Sequence, residues 1–196
     1  MEDLKLSHYL FLAVWITTII FRLTELRLAK ANLAKRQSQP NLKIAKEPFF
    51  FLFVVLHTSF LIFVPLEIFL FKREFSLLIG IICLLVYLSC LAMRISVLTT
   101  LKENWNVKVI VDPTSKESIA TTGLYQYIRH PNYLIVILEI ASISLLHGAI
   151  FSFIIFSLCN FAILFFRIRQ EEEFLMQNIH YAQHFQNKKR FFPYLF

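Results

Sequence analysis

The chain has 196 residues, of which 57% are hydrophobic and 17% are charged, and its formal net charge is +7. A soluble domain carries about a quarter of its residues as charged side chains, so this composition, gathered into long apolar runs, excludes an ordinary soluble domain. The basic residues flank the apolar runs, which indicates a lipid bilayer rather than nucleic acid as the partner. The three cysteines have no paired spacing, so neither a disulfide framework nor a metal site is predicted.

Five apolar runs predict membrane-spanning helices, at residues 6–23, 48–71, 75–99, 131–147 and 149–166. Lipid offers no partners to backbone N–H and C=O groups, so each run must satisfy them within a helix. We therefore expect an all-α integral membrane fold with five transmembrane helices. Only His147-Gly148 joins the last two runs, which predicts a tight helical hairpin. The fourth run, about 25 Å long, is slightly short for a bilayer core.

The placement of Lys and Arg predicts the orientation of these helices. Fifteen of these residues fall in the 24–48 segment, the 100–130 segment and the tail from residue 167, which must then share one side of the membrane. The other side has only Lys5, Lys72 and Arg73. We expect a multi-pass protein with its N-terminus outside and the three basic segments in the cytoplasm. The first residues are interpreted as part of a retained helix and not as a signal peptide.

The segment from Gly123 to Tyr133 combines a turn with the start of the fourth helix. Gly123 permits a turn that other residues resist, and Pro131 suits the first turn of a helix. The start of a helix offers free N–H groups and the positive end of its dipole, which favour anions. A cofactor pocket and an interfacial anchor both fit this segment, since the side chains that crowd the helix start also favour membrane surfaces: Tyr125, Arg129, His130 and Tyr133.

A second polar segment, residues 165–173, follows the fifth apolar run. If the helix continues past the bilayer, Arg169 and Glu173 lie one turn apart on one face, as do Arg167 and Glu171. Two surface salt bridges are the alternative to a functional cluster. Within the fourth run, Glu139 either lines a path for the acceptor or pairs with Arg94.

Together the two segments resemble the isoprenylcysteine carboxyl methyltransferase family. The pattern is Gly-x-Tyr-x-x-x-Arg-His-Pro-x-Tyr at 123–133, a helical hairpin, and Phe-Phe-Arg-x-Arg-x-Glu-Glu-Glu at 165–173. Lys188-Lys189-Arg190 followed by Pro193 is similar to that family's ending, and the resemblance covers residues 119–196. One departure is Ile135, where the family usually has a small residue.

The resemblance implies a division of the chain into transmembrane helices 1–3 (1–100) and a catalytic, cofactor-binding region with the hairpin (101–196). It also implies S-adenosylmethionine as the cofactor and Arg169 as the catalytic residue that pairs with the carboxylate of the acceptor. The implied cofactor contacts are Tyr125, His130, Pro131, Asn132, Tyr133 and Glu173.

The implied reaction is O-methylation of a lipid-like or prenylated acceptor that enters from the membrane. The acceptor group would be the carboxyl of a prenylated cysteine or the acidic hydroxyl of a long-chain molecule such as an alkylpyrone. Two other classes stay open: an NADPH-dependent sterol-type reductase, whose C-terminal part has a similar Arg-His-Pro-x-Tyr and hairpin, and a non-catalytic membrane scaffold. The three consecutive glutamates favour the methyltransferase.

Overall fold

The structure is a computed structural model that describes residues 2–48, 50–116 and 119–191. It is mostly helical, at 72%, and one antiparallel pair of two-residue strands lies among the described residues. The elements in chain order are α1 (Glu2–Arg36), β1 (Lys43–Ile44), α2 (Phe50–Leu70), α3 (Leu77–Leu101), β2 (Ile110–Val111), α4 (Pro131–Leu145), α5 (Ile150–Leu175) and α6 (Ile179–Phe185).

Within the described part of the chain, four helices are long and apolar enough to cross a bilayer, over Leu6–Arg36, Phe50–Leu70, Leu77–Asn104 and Ile150–Leu175. The all-α membrane fold is thereby confirmed, and the protein is an integral membrane protein. The remaining predicted span, the fourth apolar run at 131–147, forms α4, which is a shorter apolar helix. Its 15 residues extend about 22 Å, less than a bilayer core.

Two helices continue well past the ends of their apolar runs. α1 reaches Arg36 instead of ending near residue 23, because the chain from 24 to 36 lacks Gly and Pro and is rich in Leu, Ala, Lys and Arg, which favour helix. α5 likewise continues to Leu175. The acidic run at 171–173 is therefore helical and stands at the membrane exit of α5.

α4 lies at the centre of the fold, packed between α3 and α5, while α2 packs on the other side of α5. The main core includes Phe11, Val64, Ile68, Val136 and Ile143, which come from α1, α2 and α4 and are all nearly inaccessible to solvent. Many large apolar side chains on the outer faces of the spans are exposed. Such a surface needs lipid around it.

The three basic segments meet at one end of this bundle. β1 pairs with β2, with Lys43 opposite Val111, which joins the segment after α1 to the segment after α3. The backbone N–H of His130 donates to the carbonyl of Arg190 over 3.1 Å, and Asn178 Nδ2 donates to the carbonyl of Asp112 over 2.8 Å. The tail therefore closes over the loops that precede α4.

Candidate functional site

A cavity lies at this end of the bundle, and all six helices contribute to its walls, α3 through its last residue, Leu101. The start of α4 contributes His130, Asn132 and Tyr133, and the exit of α5 contributes Arg167 and Glu171. The two polar segments singled out in the sequence thus meet, because the hairpin between α4 and α5 folds the chain back on itself.

The turn before α4 depends on Gly123. Its φ of +59° lies in the left-handed region, and a Cβ at this position would approach Thr100 Oγ1 to 2.6 Å. A side chain here would meet both backbone strain and a neighbour. The turn continues as a short 3₁₀ segment through Gln126, and Pro131 then occupies the first turn of α4.

A glutamate of α5 fixes the side chain of His130. It is 4% exposed, and its Nε2 lies 2.9 Å from Glu172 Oε1. Glu172 also accepts hydrogen bonds from Arg190 Nε (3.0 Å) and Nη2 (2.8 Å). The imidazole stacks on the ring of Tyr133, with 5.5 Å between ring centroids. Glu172 thus connects α5, the start of α4 and the tail through charge-assisted hydrogen bonds.

Arg167 lines the cavity, and several protein groups hold its guanidinium in place. Its Nε donates to Tyr133 Oη over 2.9 Å, and its Nη2 donates to the carbonyl of Val107 over 2.6 Å and lies 3.2 Å from Glu47 Oε2. The guanidinium carbon is 4.4 Å from the centre of the Phe53 ring. Nη1 is buried and has no hydrogen-bond partner among the described residues, which leaves this charged donor available to a ligand or a water molecule.

The cavity places the carboxylate of Glu171 beside several aromatic rings. The Tyr133 hydroxyl donates a hydrogen bond to Glu171. Burial, and then the negative charge of Glu171, raise the pKa values of Tyr125 and Tyr181 above the usual range, so both phenols stay neutral at physiological pH. A carboxylate beside neutral aromatic faces attracts cations.

A cluster of four charges lies beside the cavity, and two of its members, Arg22 and Glu25, line it. Arg94, 1% exposed, donates to both oxygens of Glu139, from Nε over 3.0 Å and from Nη2 over 2.7 Å, and to Glu25 over 2.6 Å. Arg22 contacts the same two carboxylates, at 2.6 Å from Glu139 and 3.2 Å from Glu25. Two positive and two negative charges therefore balance, and Arg94 Nη1 reaches Asn132 Oδ1 over 3.4 Å. The pairing with Arg94 is one of the two roles that the sequence predicted for Glu139.

Most of the residues predicted for the site lie at the cavity. Tyr125, His130, Asn132 and Tyr133 line it, and Pro131 is buried at the start of α4 between two of them. Arg169 and Glu173 do not line it; both are exposed. Positions two residues apart on a helix differ by about 200°, so Arg167 and Glu171 face the cavity instead. The roles predicted for Arg169 and Glu173 stay predictions.

Several cavity residues were not singled out from the sequence. Trp105 is 5% exposed and donates its indole N–H to the carbonyl of Glu25 over 3.3 Å. Val109, Ile110 and Val111 are buried, and the apolar character of this stretch, unusual for a solvated loop, was the available signal. The other unpredicted lining residues include Arg22, Glu25, Phe53, Val107, Tyr181 and Phe185. Pro193, part of the family-like ending, lies outside the described residues.

Ile135, the departure from the family pattern, is fully buried on α4. It packs in a second core cluster with Ala29, Cys90, Val97 and Trp105. Its side chain therefore fills the contact between α4 and the helices α1 and α3, and it does not line the cavity.

Comparisons with known proteins agree with the motifs. The profile of the isoprenylcysteine carboxyl methyltransferase (ICMT) family matches residues 79–177. The chain is 31% identical over 160 residues to the uncharacterized protein YpbQ of Bacillus subtilis (strain 168), covering 81% of this chain and 92% of that protein. It is 35% identical over 90 residues to an uncharacterized protein of Haemophilus influenzae, covering 45% of this chain and 51% of that protein. No solved structure matches the chain.

The family match spans most of α3, the turn at Gly123, α4 and the whole of α5. It therefore contains both segments that meet at the cavity, including His130, Tyr133, Arg167 and Glu171. The chain belongs to the isoprenylcysteine carboxyl methyltransferase family and is a membrane methyltransferase.

Proposed function

We propose that the protein is an S-adenosylmethionine-dependent O-methyltransferase that acts on a lipophilic acceptor with an acidic group. The acceptor is the carboxyl of a prenylated cysteine or a similar acidic group, such as the acidic hydroxyl of an alkylpyrone. The observation that carries the proposal is Arg167, whose Nη1 is a buried charged donor without a partner among the described residues, in a cavity built by both family segments.

The residues of the cavity fit the cofactor that this family generally uses. S-adenosylmethionine carries a sulfonium, an ammonium and a carboxylate. The carboxylate of Glu171 and the rings of Tyr125 and Tyr133 suit its cationic groups, and the positive end of α4, at His130 and Asn132, suits its carboxylate. When bound, the cofactor supplies an electrophilic methyl group on a cationic sulfur.

The chain's own residues then have two tasks. An acceptor carboxyl has an unperturbed pKa near 3.5, so it is ionised at neutral pH and needs no general base. Arg167 binds the oxyanion through Nη1 and fixes its direction, because contacts of Nε and Nη2 with the protein hold the guanidinium in one orientation. Tyr133, Val107 and Glu47 hold Arg167 in place. Alignment and exclusion of water are what a displacement of this kind requires.

The resemblance gives the acceptor role to Arg169, whereas the geometry supports Arg167. Arg169 is exposed, and its guanidinium lies 4.1 Å above the centre of the Phe165 ring, away from the residues that line the cavity. We therefore propose Arg167 as the residue that binds the acceptor, and the same reasoning favours Glu171 over Glu173 for the cofactor.

A transfer assay and a binding assay test the proposal together. The full chain in lipid nanodiscs is given methyl-labelled S-adenosylmethionine with a prenylcysteine analogue, an alkylpyrone or a membrane lipid extract. We expect labelled product from at least one acceptor, and calorimetry that detects S-adenosylmethionine but not NADPH. Binding of NADPH alone would support the reductase, and binding of neither cofactor would support the scaffold.

Removal of the Tyr133 hydroxyl tests the proposed role of the cavity with a small change in shape. Tyr133→Phe keeps the ring but removes the oxygen that contacts Arg167 and Glu171. A hydrogen bond to a charged group contributes about 1.5–3 kcal/mol, so methyl transfer should fall roughly 10- to 100-fold. Tyr127→Phe is the matched control, because Tyr127 is 59% exposed and does not line the cavity. Equal rates for the two variants would contradict the role of Tyr133.

We propose the orientation from the positive-inside rule, with the cavity end in the cytoplasm and the N-terminus outside. The contacts between the three basic segments support a shared side. Cysteines placed at exposed Gln39 and Glu74 test this in intact cells with an impermeant maleimide. Glu74→Cys should react and Gln39→Cys should not, and the opposite pattern would reverse the orientation.

A further inference from the structure

A groove separate from the cavity runs between α4 and α5. It has a volume of about 300 Å³ and an almost entirely apolar lining. Ile137 and Ile140 come from α4, Phe161 and Phe165 from α5, and Phe191 of the tail closes one end. The groove and the cavity share no lining residue.

The groove opens towards the bilayer. Phe161 is 70% exposed and Phe165 is 44% exposed on a helix that crosses the membrane, so these rings face lipid. The opening is therefore accessible to a hydrocarbon chain moving sideways from the surrounding leaflet.

One end of the groove carries positive charge. Arg169 and Arg190 line it where α5 leaves the membrane. Arg190 is occupied by Glu172, to which it donates from Nε and Nη2. Arg169 has no ion pair among the described residues and only stacks on Phe165. The guanidinium of Arg169 is therefore available at one end of an apolar groove. This charge pattern is complementary to an anionic amphiphile.

A buried wall separates this groove from the cavity. Tyr133, Leu164 and Ile168 form one core cluster between the two, with Phe53 and Phe191 packed against it. An amphiphile held at Arg169 would thus lie across this wall from Arg167 and Glu171. The occupant of the groove is therefore not the methyl acceptor in its reactive position.

We propose that this groove is a binding site for an anionic phospholipid of the surrounding leaflet. Its phosphate contacts Arg169, and one of its acyl chains lies between α4 and α5. A chain already in lipid gains little from moving into an apolar groove, so selectivity comes from the charge of Arg169. A basic residue at the membrane surface contributes about 1 kcal/mol, which corresponds to a preference of about fivefold for an anionic over a zwitterionic headgroup.

Quenching by brominated lipids tests the proposal on the full chain. The two native tryptophans, Trp15 and Trp105, are first replaced by Phe so that one tryptophan fluoresces in each variant. In that background Phe161→Trp reports on the groove, and Phe63→Trp, 56% exposed on α2, reports on the general lipid surface. Phosphatidylglycerol with brominated acyl chains should show an association constant about fivefold above that of brominated phosphatidylcholine at position 161. At position 63 the two lipids should be equal. Equal constants at position 161 would overturn the proposal.

Two further substitutions in the Phe161→Trp background identify what the groove binds. Arg169→Gln should abolish the preference for phosphatidylglycerol, and a preference that survives it would overturn the assignment of the phosphate. Asn160 lines the groove, and its Oδ1 is buried without a partner among the described residues. An acyl chain needs no hydrogen bond, so Asn160→Ala should keep the preference. Its loss would mean that the occupant carries a polar group there and is not an acyl chain.

Discussion

Replacing Arg167 by lysine is expected to lower kcat/KM for methyl transfer about 100-fold. Lysine keeps the positive charge but has neither the planar fork nor the simultaneous contacts with Tyr133 and Val107. A 100-fold loss corresponds to about 2.7 kcal/mol, within the range of about 2–5 kcal/mol for truncating one partner of a buried charge pair. Initial rates with labelled cofactor and varied acceptor measure it.

Arg169→Lys is the matched variant, since it makes the same change two residues later on the same helix. Arg169 is exposed and lines the lipid-facing groove, so its substitution should reduce the rate less than that of Arg167. The reverse order would return the acceptor role to Arg169, as the family resemblance indicates. Unchanged rates in both variants would contradict an acidic acceptor bound by either arginine.

The choice between these arginines shows what the sequence could not decide. Spacing alone placed Arg167 with Glu171 and Arg169 with Glu173, each pair one turn apart. In a soluble helix an apolar stripe marks the buried face. α5 is apolar on both faces, because Leu164 and Ile168 pack inward while Phe165 and Phe166 face lipid. The rotation of the helix is therefore set by packing on α4 and α2, which no local pattern reveals.

The membrane fold and the start of α4 were predictable from the sequence, because local properties of the chain determine them. Lipid forces apolar runs into helices, and Gly123 and Pro131 fix the turn and the first helical residue through their own backbone restrictions. The ion pairs that Arg22 and Glu25 form with distant residues were not predictable from the sequence. Their partners Arg94 and Glu139 lie more than 65 residues away, and a charge near the end of a span ordinarily indicates only the membrane interface.

The ion pairs of Arg94 with Glu25 and Glu139 predict a large effect of an Arg94 substitution on the stability of the fold. Arg94→Met should lower the free energy of unfolding by about 3–5 kcal/mol, because it leaves Glu25 and Glu139 buried with only Arg22 to neutralise them. For a chain of this size that loss corresponds to a fall of roughly 10 °C in the unfolding midpoint. Thermal unfolding of the purified protein in one detergent measures it.

Lys35→Met is the control, because the Lys35–Glu103 pair is 3.1 Å apart but 64% and 69% exposed, and such pairs contribute about 0–1 kcal/mol. A midpoint for Arg94→Met no lower than that of Lys35→Met would show that the cluster of four charges is hydrated in the folded protein.

The double variant Arg94→Met/Glu139→Gln separates the loss of charge balance from the loss of packing. It removes one charge of each sign and leaves Arg22 paired with Glu25. If Arg94 is needed because it neutralises Glu139, the double variant should lose less stability than the sum of the two single variants, by about 0.5–3 kcal/mol. Additive losses would mean that the two side chains stabilise the fold independently. The cluster would then fix α1 against α3 and α4 through shape and not through charge.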